Sequence, residues 1–90
     1  MFMDITFDLN KDLTNFDKHG IRLADAVHFE WDTAISVEDE REDYGEQRFN
    51  AIGYIGFSLH FLTYTYRDED CRVISLRRAT LQEENQYAST

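Results

Sequence analysis

The chain has 90 residues, of which 42% are hydrophobic, and its formal net charge is −9 at pH 7. A chain of this length predicts a single domain over residues 1–90 with one compact core. The lone cysteine, Cys71, excludes an internal disulfide framework, and no apolar run approaches the roughly 20 residues that span a bilayer. The N-terminus lacks the apolar stretch of a secretory signal, so we expect a cytoplasmic protein with no membrane partner.

The charges are unevenly distributed along the chain. Residues 1–47 hold 4 basic and 13 acidic groups, whereas residues 48–90 hold 5 of each. The negative balance argues against a general attraction to nucleic acid. The basic groups of the second half are all arginines, and four of them lie between residues 67 and 78. Any anion site must therefore be local and made mainly of arginine.

The first third of the chain predicts a strand and two helices. Residues 4–8 alternate polar and apolar side chains, as in a short strand. A helix follows, with Asn10 as its N-cap and Gly20 in a left-handed turn at its end. The apolar residues that recur at helical spacing here are Leu9, Leu13 and Phe16. A second helix is predicted over residues 22–30. Its apolar stripe consists of Leu23, Ala26 and Val27.

The rest of the chain predicts four strands and a short helix. The strands are expected at residues 33–37, 48–54, 59–66 and 71–78, where β-branched and aromatic residues are common. An acidic segment, 38–46, separates the first two strands, and short turns join the others. Thr80 and Glu83 have the spacing of a capping box at the start of the final helix. We therefore expect an α+β domain, with two N-terminal helices on an antiparallel meander sheet and a short C-terminal helix.

Four ordered segments of the chain resemble the BrnT toxin family. The matching residues are Asp8 to Ile21 with Ala26 and Phe29; Asp39 to Arg48; Ala51 to Gly53; and Thr65 to Arg67 with Arg72 to Ala79, Glu83 or Glu84, and Tyr87. Together they cover nearly the whole chain. No single segment is decisive, but the ordered set at these spacings is specific.

The resemblance implies a fold, an activity and a partner. The BrnT fold is similar to the RelE-like RNases, and the family implies the toxin of a bacterial type II toxin–antitoxin system. The implied activity is metal-independent, cofactor-free cleavage of mRNA, inhibited by a cognate DNA-binding, BrnA-like antitoxin. Toxin subunits are paired in such complexes, which implies a homodimer. The net charge of −9 departs from the family. The alternative is a non-catalytic interaction module that binds an antitoxin-like partner without cutting RNA.

The arginines are the main candidates for contact with RNA. An RNase of this kind uses the 2′-hydroxyl of the RNA as nucleophile and must stabilise a crowded phosphate, to which a guanidinium donates two hydrogen bonds. We expect Arg67 and Arg78 to be catalytic by holding this phosphate, and Arg72 and Arg77 to bind RNA. On a regular strand Arg72 and Arg78 would share a face, with Arg77 opposite. The alternative is that these arginines pair with the carboxylates at 68–70.

The end of the first helix supplies a second group of candidates. His19 follows Lys18 there, and a helix C-terminus favours a protonated imidazole. We expect His19 to be a catalytic acid or phosphate ligand and Lys18 to bind RNA. The alternative is a histidine that caps the helix. One cysteine and three scattered histidines have no zinc-ligand spacing, so no metal is expected.

The acidic loop supplies the remaining candidates. Glu46 is a candidate base and Tyr44 a candidate for proton transfer or base stacking, while Arg41 and Arg48 would bind RNA. The alternative is a self-contained loop in which Asp43 and Glu46 bond to Arg48 and to nearby backbone amides. The acidic residues of the loop are either simply solvated or a docking strip for a basic partner.

Overall fold

Five strands form one sheet in the computed structural model, which describes residues 4–90. They are β1 (Ile5–Thr6), β2 (Ile35–Asp39), β3 (Arg48–Ile55), β4 (Ser58–Arg67) and β5 (Asp70–Arg78). The other elements are the α-helices α1 (Leu9–His19) and α2 (Leu81–Ala88) and two 3₁₀ helices, Leu23–His28 and Trp31–Thr33. The predicted α+β class is confirmed.

The sheet is mixed rather than wholly antiparallel. Its strand order is β1-β5-β4-β3-β2, and the strands from β2 to β5 form the predicted antiparallel meander. β1 instead pairs in parallel with β5, with Ile5 opposite Cys71. The prediction of an entirely antiparallel sheet is wrong because β1 pairs with the last strand of the chain, and no local turn fixes its direction.

Helix α1 is capped at both ends by local hydrogen bonds. The N-cap is Asp8 rather than the predicted Asn10, because the Asp8 carboxylate accepts from the backbone N–H groups of Asn10 and Lys11 at 2.9 and 3.1 Å. At the other end Gly20 has φ 71° and its N–H donates to the Phe16 carbonyl at 2.8 Å. The predicted left-handed turn at Gly20 is therefore confirmed.

The second predicted helix is a 3₁₀ helix and not an α-helix over residues 22–30. Leu23, Ala26 and Phe29 recur at every third position, and their exposed fractions are 0%, 0% and 5%. This spacing aligns side chains on a 3₁₀ helix, which has about three residues per turn. Val27, assigned to the apolar stripe on α-helical spacing, is 64% exposed. The second 3₁₀ helix includes Thr33, so β2 begins later than predicted.

The core lies between the first 3₁₀ helix and one face of the sheet, which we call the core face. The buried core residues of the sheet are Ala51, Leu62, Tyr64, Cys71, Val73 and Leu76. Gly53 leaves room for Phe29, since a Cβ atom at Gly53 would lie 2.6 Å from the Phe29 ring. Trp31 completes the cluster through an edge-to-face contact with Phe29 at a centroid distance of 4.8 Å. Burial raises the pKa of Cys71 to about 11, so its thiol stays neutral.

Helix α1 turns its polar side toward the rest of the protein. Asp12 and Asn15 are buried, whereas Leu9, Leu13 and Phe16 are each at least half exposed. Asp12 accepts a hydrogen bond from Arg22 Nε at 2.7 Å, and this bond above all lowers the pKa of Asp12. The apolar spacing therefore predicted the helix, but the apolar side chains do not pack in the core.

The Asn15 amide extends the hydrogen bonding of β5 beyond the end of β1. Asn15 Nδ2 donates to the carbonyl oxygens of Leu76 and Ile21 at 2.7 and 2.8 Å. The Leu76 N–H donates in return to Asn15 Oδ1 at 3.2 Å. This side chain thus satisfies the outer edge of β5 where no strand pairs with it, and it anchors α1 to the sheet.

Replacing Asn15 with alanine should destabilise the fold. The Asn15→Ala change leaves buried backbone groups of Leu76 and Ile21 without partners, so we expect a loss of about 2 kcal/mol in the free energy of unfolding. Urea unfolding measures this loss. The control is Thr14→Ala, an exposed position on the same helix, which should change stability by less than about 0.5 kcal/mol. Equal losses for the two variants would contradict the anchoring role of Asn15.

Helix α2 covers one end of the opposite sheet face. Glu83 accepts two hydrogen bonds from Arg77 at 2.8 and 2.9 Å, and it forms the predicted capping box with Thr80. Tyr54 and Tyr87 pack edge to face at a centroid distance of 5.8 Å. The rest of this face has no helix of residues 4–90 packed across it. We call this part the open face.

Candidate functional site

A β-bulge in β5 decides which side chains share a face of the sheet. Tyr64 pairs with Val73 whereas Thr63 pairs with Ser75, so Ile74 is an extra residue with no partner on β4. A bulge of this kind shifts the alternation of side chains by one residue. On a regular strand, residues an even number apart lie on the same face. This does not hold for two residues on opposite sides of the bulge in β5.

The bulge places Arg72 and Arg77 on one face and Arg78 on the other. The β4 partners of Arg72 and Arg77 are Thr65 and Phe61, which are an even number of residues apart on a regular strand. Arg78 lies on the core face and is exposed at the end of the strand. The prediction that Arg72 and Arg78 share a face is therefore wrong.

Three arginines lie on the open face of the sheet. The register of β3 and β4 places Arg48 beside Thr65, and Arg72 pairs with Thr65 on the other side. Arg67 is two residues from Thr65 on β4 and so shares its face. Arg48 and Arg72 are two strand spacings apart, about 10 Å. Together these residues form a cationic surface that reaches from β3 to β5.

Glu46 lies between two of these arginines. Its Oε2 accepts from Arg48 Nε at 3.3 Å, and its Oε1 is 3.8 Å from Arg67 Nη2. Arg67 is 59% exposed, so its guanidinium is accessible to an anion from solvent. The alternative in which Arg67 pairs with the carboxylates at 68–70 is not observed among the described residues. A carboxylate between two guanidinium groups can accept a proton next to a bound phosphate.

Asp39 organises the loop that follows β2. It is 7% exposed and accepts hydrogen bonds from Arg41 Nε and Nη2, both at 2.8 Å. It also accepts from the Tyr44 hydroxyl at 3.2 Å. The hydrogen bonds of the Arg41 side chain, above all, hold the pKa of Asp39 well below its ordinary value. The Arg41 side chain therefore already donates to Asp39, and fewer of its donors remain for the RNA contact predicted for Arg41.

Tyr44 connects this loop to the open face. The guanidinium carbon of Arg48 lies 4.2 Å from the centre of the Tyr44 ring, within the range of a cation–π contact. Asp39 holds the hydroxyl of the same ring. The predicted self-contained contacts are also present, since Asp43 accepts from the Gly45 N–H at 3.0 Å. The loop is therefore internally bonded and also brings Tyr44, Glu46 and Arg48 together.

The hollow of the loop is not itself an anion site. A depression of about 570 Å³ is lined by residues 38–44, 46 and 47. Six of these lining residues are acidic, namely Glu38, Asp39, Glu40, Glu42, Asp43 and Glu46. Like charges there repel a phosphate, so the cationic surface on the open face is the better place for one.

Lys18 and His19 line a separate groove beside α1. This groove has a volume of about 300 Å³, and its lining residues are Lys11, Thr14, Asn15, Lys18, His19, Ile74 and Ser75. Both predicted residues lie in the last turn of α1, where the helix dipole favours positive charge. Ser75 shares a face with Thr63, its partner on β4, so the groove opens on the side of the open face.

The remaining predicted residues lie elsewhere. Arg77 donates two hydrogen bonds to Glu83 of α2, and its guanidinium carbon lies 4.4 Å from the centre of the Phe61 ring, so its guanidinium is held beside α2. Arg78 and Arg67 are at opposite ends of the β4–β5 pair, about 20 Å apart along the strands. One phosphate cannot contact both. His19 and Glu46 are likewise separated by β4 and β5.

The whole domain matches a known protein family. The model of the family described as "Ribonuclease toxin, BrnT, of type II toxin-antitoxin system" matches residues 7–83. The chain belongs to the BrnT family. It is therefore the ribonuclease toxin component of a type II toxin–antitoxin system, as the sequence resemblance predicted.

A solved structure supports the assignment. The BrnT-family chain is similar to the crystal structure of the ribonuclease toxin BrnT from Brucella abortus, with 28% sequence identity and a TM-score of 0.70. The match covers 88% of this chain and 99% of that one. No curated protein matches the sequence. None of the helices within residues 4–90 is long and apolar enough to cross a membrane.

Sequence reasoning missed Asp39, which positions two of the predicted residues of this BrnT-family toxin. The alternation of β2 gives no signal of its burial, because Asp39 shares a face with Val37, which is 60% exposed. From the sequence, Asp39 belongs to an acidic segment that is either solvated or a docking strip for a basic partner. Its burial depends on the pairing of Asp39 with Arg48 across the sheet, which local sequence does not reveal.

The ion pair of Asp39 should contribute stability that depends on pH. Because the folded pKa of Asp39 is lowered, its contribution is fully present above its unfolded pKa of about 3.9 and is lost as pH falls through the folded value. Asp39→Asn should therefore be less stable than wild type by about 1 kcal/mol near pH 7, with a smaller difference below about pH 4. Urea unfolding at several pH values tests this, with Glu42→Gln as the exposed control. A difference that does not change with pH would contradict the ionic origin.

Proposed function

We propose that the open face is the catalytic site of a metal-independent mRNA endonuclease. Arg48 and Arg67, assisted by Arg72, hold the scissile phosphate. The observation that carries the proposal is the Glu46 carboxylate between the guanidinium groups of Arg48 and Arg67, at 3.3 and 3.8 Å. This geometry supplies a proton acceptor and a phosphate clamp from two adjacent strands and one loop.

Cleavage proceeds through attack of the RNA on its own backbone. Glu46 removes the proton of the 2′-hydroxyl, and the 2′-oxygen forms a bond to phosphorus while the bond to the 5′-oxygen breaks. Arg48 and Arg67 neutralise the charge that accumulates on the non-bridging oxygens. The products are a 2′,3′-cyclic phosphate and a free 5′-hydroxyl, so no external nucleophile or metal takes part.

Tyr44 protonates the leaving 5′-oxygen, and for this its hydroxyl turns away from Asp39, to which it donates its single proton in the free protein. Its ring packs against the Arg48 guanidinium, and its hydroxyl is held by Asp39 at 3.2 Å. His19 lies on the far side of β4 and β5 from Glu46, so we assign His19 and Lys18 to a neighbouring phosphate of the RNA instead. The groove they line includes Ser75, which lies on the same face of the sheet as Arg72, so the groove would extend the cationic surface along the RNA.

The acidic composition restricts RNA binding to this surface. Glu46 occupies Arg48 and Arg67 in the free protein, and the phosphate must displace it from Arg67 before cleavage. Arg72 has no carboxylate partner at ion-pair distance among residues 4–90. Among the three arginines of the cationic surface, Arg72 alone lacks an ion pair within the described chain, although the pKa of the Asp8 carboxyl is lowered first by a hydrogen bond from the Lys11 N–H and also by the nearby charge of Arg72. RNA should therefore approach Arg72 first, with binding that weakens as the salt concentration rises.

The partner is a cognate DNA-binding antitoxin of the BrnA type, and the toxin acts in the cytoplasm as a homodimer within that complex. The toxin–antitoxin family supports an antitoxin partner. Leu9, Leu13 and Phe16 form an exposed apolar row on one side of α1, and this supports protein–protein contact, since contiguous apolar patches often mark interfaces.

Two arginine variants at opposite ends of the sheet test the catalytic site. Arg67→Ala should reduce cleavage of a single-stranded RNA by about a hundredfold or more, because it removes half of the phosphate clamp. Arg78→Ala, the matched control, should stay within about threefold of wild type. Glu46→Gln should lose at least about a hundredfold by removing the base. Circular dichroism verifies that each variant is folded.

The same variants, expressed in cells without the antitoxin, separate the toxin from the alternative, a non-catalytic interaction module. Growth arrest on expression without the antitoxin, lost in Arg67→Ala, supports the endonuclease. Harmless accumulation of the wild-type chain, with no cleavage in vitro, supports the module. Equal cleavage by wild type and Arg67→Ala would remove the open face as the catalytic site.

The groove beside α1 should act in binding rather than in chemistry. The double variant Lys18→Ala and His19→Ala should raise KM several-fold and reduce the salt dependence of RNA binding, while kcat stays within about threefold. Kinetics at two salt concentrations measure both effects. A large loss of kcat at unchanged KM would instead place His19 in the chemical step.

A further inference from the structure

The two edges of the sheet differ in whether their backbone groups have hydrogen-bond partners. On one side, β1 and the Asn15 amide satisfy the outer edge of β5. On the other side, β2 is the last strand, and no strand of residues 4–90 pairs with its outer edge. Within the part of the chain that the structure describes, none of the backbone hydrogen bonds outside helices and strands involves Ile35 to Asp39. β2 therefore presents unpaired backbone groups, the condition under which another chain adds a strand.

An apolar groove runs beside this open edge. It has a volume of about 200 Å³, and its lining residues are Ile35, Val37, Asn50, Ile52, Phe61 and Gln86. Ile35 and Val37 are alternate residues of β2, and Val37 is 60% exposed. A strand added to β2 would place its own alternate side chains over this groove, so backbone pairing and apolar contact would come from one segment.

The charges around β2 determine what kind of segment fits. Glu30 and Asp32 precede the strand, and Glu38, Glu40 and Glu42 lie at its end or follow it. None of these five takes part in an ion pair among residues 4–90. A second copy of the chain would bring like charges together in either strand direction, because both ends of β2 are acidic. A basic segment avoids this repulsion.

We propose that β2 is the docking edge for an extended, basic segment of the antitoxin, which pairs with Ile35–Asp39 and inserts alternate apolar side chains into the groove beside Val37. The inference rests on the antitoxin partner of the proposed function. The inference adds which surface of the toxin is used, and that the antitoxin segment bound there is an extended strand with basic residues. The lysines and arginines of that segment contact Glu38 and Glu40 while its backbone completes the edge.

Two matched valine variants test the proposal. Val37 and Val27 are exposed to 60% and 64%, and both Val37→Lys and Val27→Lys add one positive charge to the toxin. Both variants therefore change the net charge of the toxin equally, and they differ in where the new lysine lies. The binding partner in the experiment is the full-length antitoxin encoded next to the toxin gene, with affinity measured by isothermal titration calorimetry. Val37→Lys should weaken binding at least about tenfold, and Val27→Lys less than about twofold.

A second pair of variants tests the charge of the segment. Glu40 follows β2, whereas Glu84 lies on the exposed side of α2, and both are free of ion pairs in the described chain. Glu40→Lys should weaken binding severalfold and Glu84→Lys should not. Hydrogen exchange provides the direct test of strand addition, because the backbone amides of residues 35–39 that face outward should become protected in the complex.

The outcomes separate this inference from the proposed function. If the wild-type chain does not bind the antitoxin, both fail. If it binds, but Val37→Lys binds like Val27→Lys and residues 35–39 gain no protection, only the docking edge is overturned. Protection of residues 35–39 in the free toxin that rises with its concentration would assign the edge to a second copy and overturn the proposal as well.

Discussion

The extra residue in β5 is the constraint on which the rest of the structure depends. Cys71 and Val73 precede the bulge and Leu76 follows it, yet all three are buried on the core face. Without the shift at Ile74, the two halves of the strand would bury opposite sets of side chains. The same shift places Arg72 on the open face and leaves Arg78 on the core face, so the core and the cationic surface are set by one feature.

Carboxylates control where this acidic chain can bind an anion. Asp39 neutralises Arg41, and Glu46 engages both Arg48 and Arg67. The Asp39–Arg41 pair limits attraction to RNA at the loop, and the Glu46 pairs moderate the positive charge of the open face until a phosphate displaces Glu46. They also order the loop after β2 without a large apolar contact. The substrate phosphate and Glu46 therefore compete for Arg67. When the phosphate binds, Glu46 is released from Arg67 beside it.

The polar anchoring of α1 explains why its apolar residues are free for other contacts. Asp12 and Asn15 hold the helix through directional hydrogen bonds to Arg22 and to the backbone of β5. Such bonds fix both the rotation of the helix and its distance from the sheet. Leu13 and its apolar neighbours therefore remain on the surface, although their spacing is that of a core-facing helix. The chain thus has an exposed helix face at one edge of the sheet and an open strand at the other.

The sequence by itself determined what depends on neighbouring residues: the left-handed turn at Gly20, the capping box at Thr80, the meander of the later strands and the family. These features follow from local hydrogen bonds, turn propensities and ordered segments, which a linear pattern records. Only the tertiary structure decided that β1 runs parallel to β5, that Asp39 is buried, and on which face Arg72 lies. Each of these depends on the pairing of segments distant in sequence, and one extra residue in a strand reverses the face of every side chain beyond it.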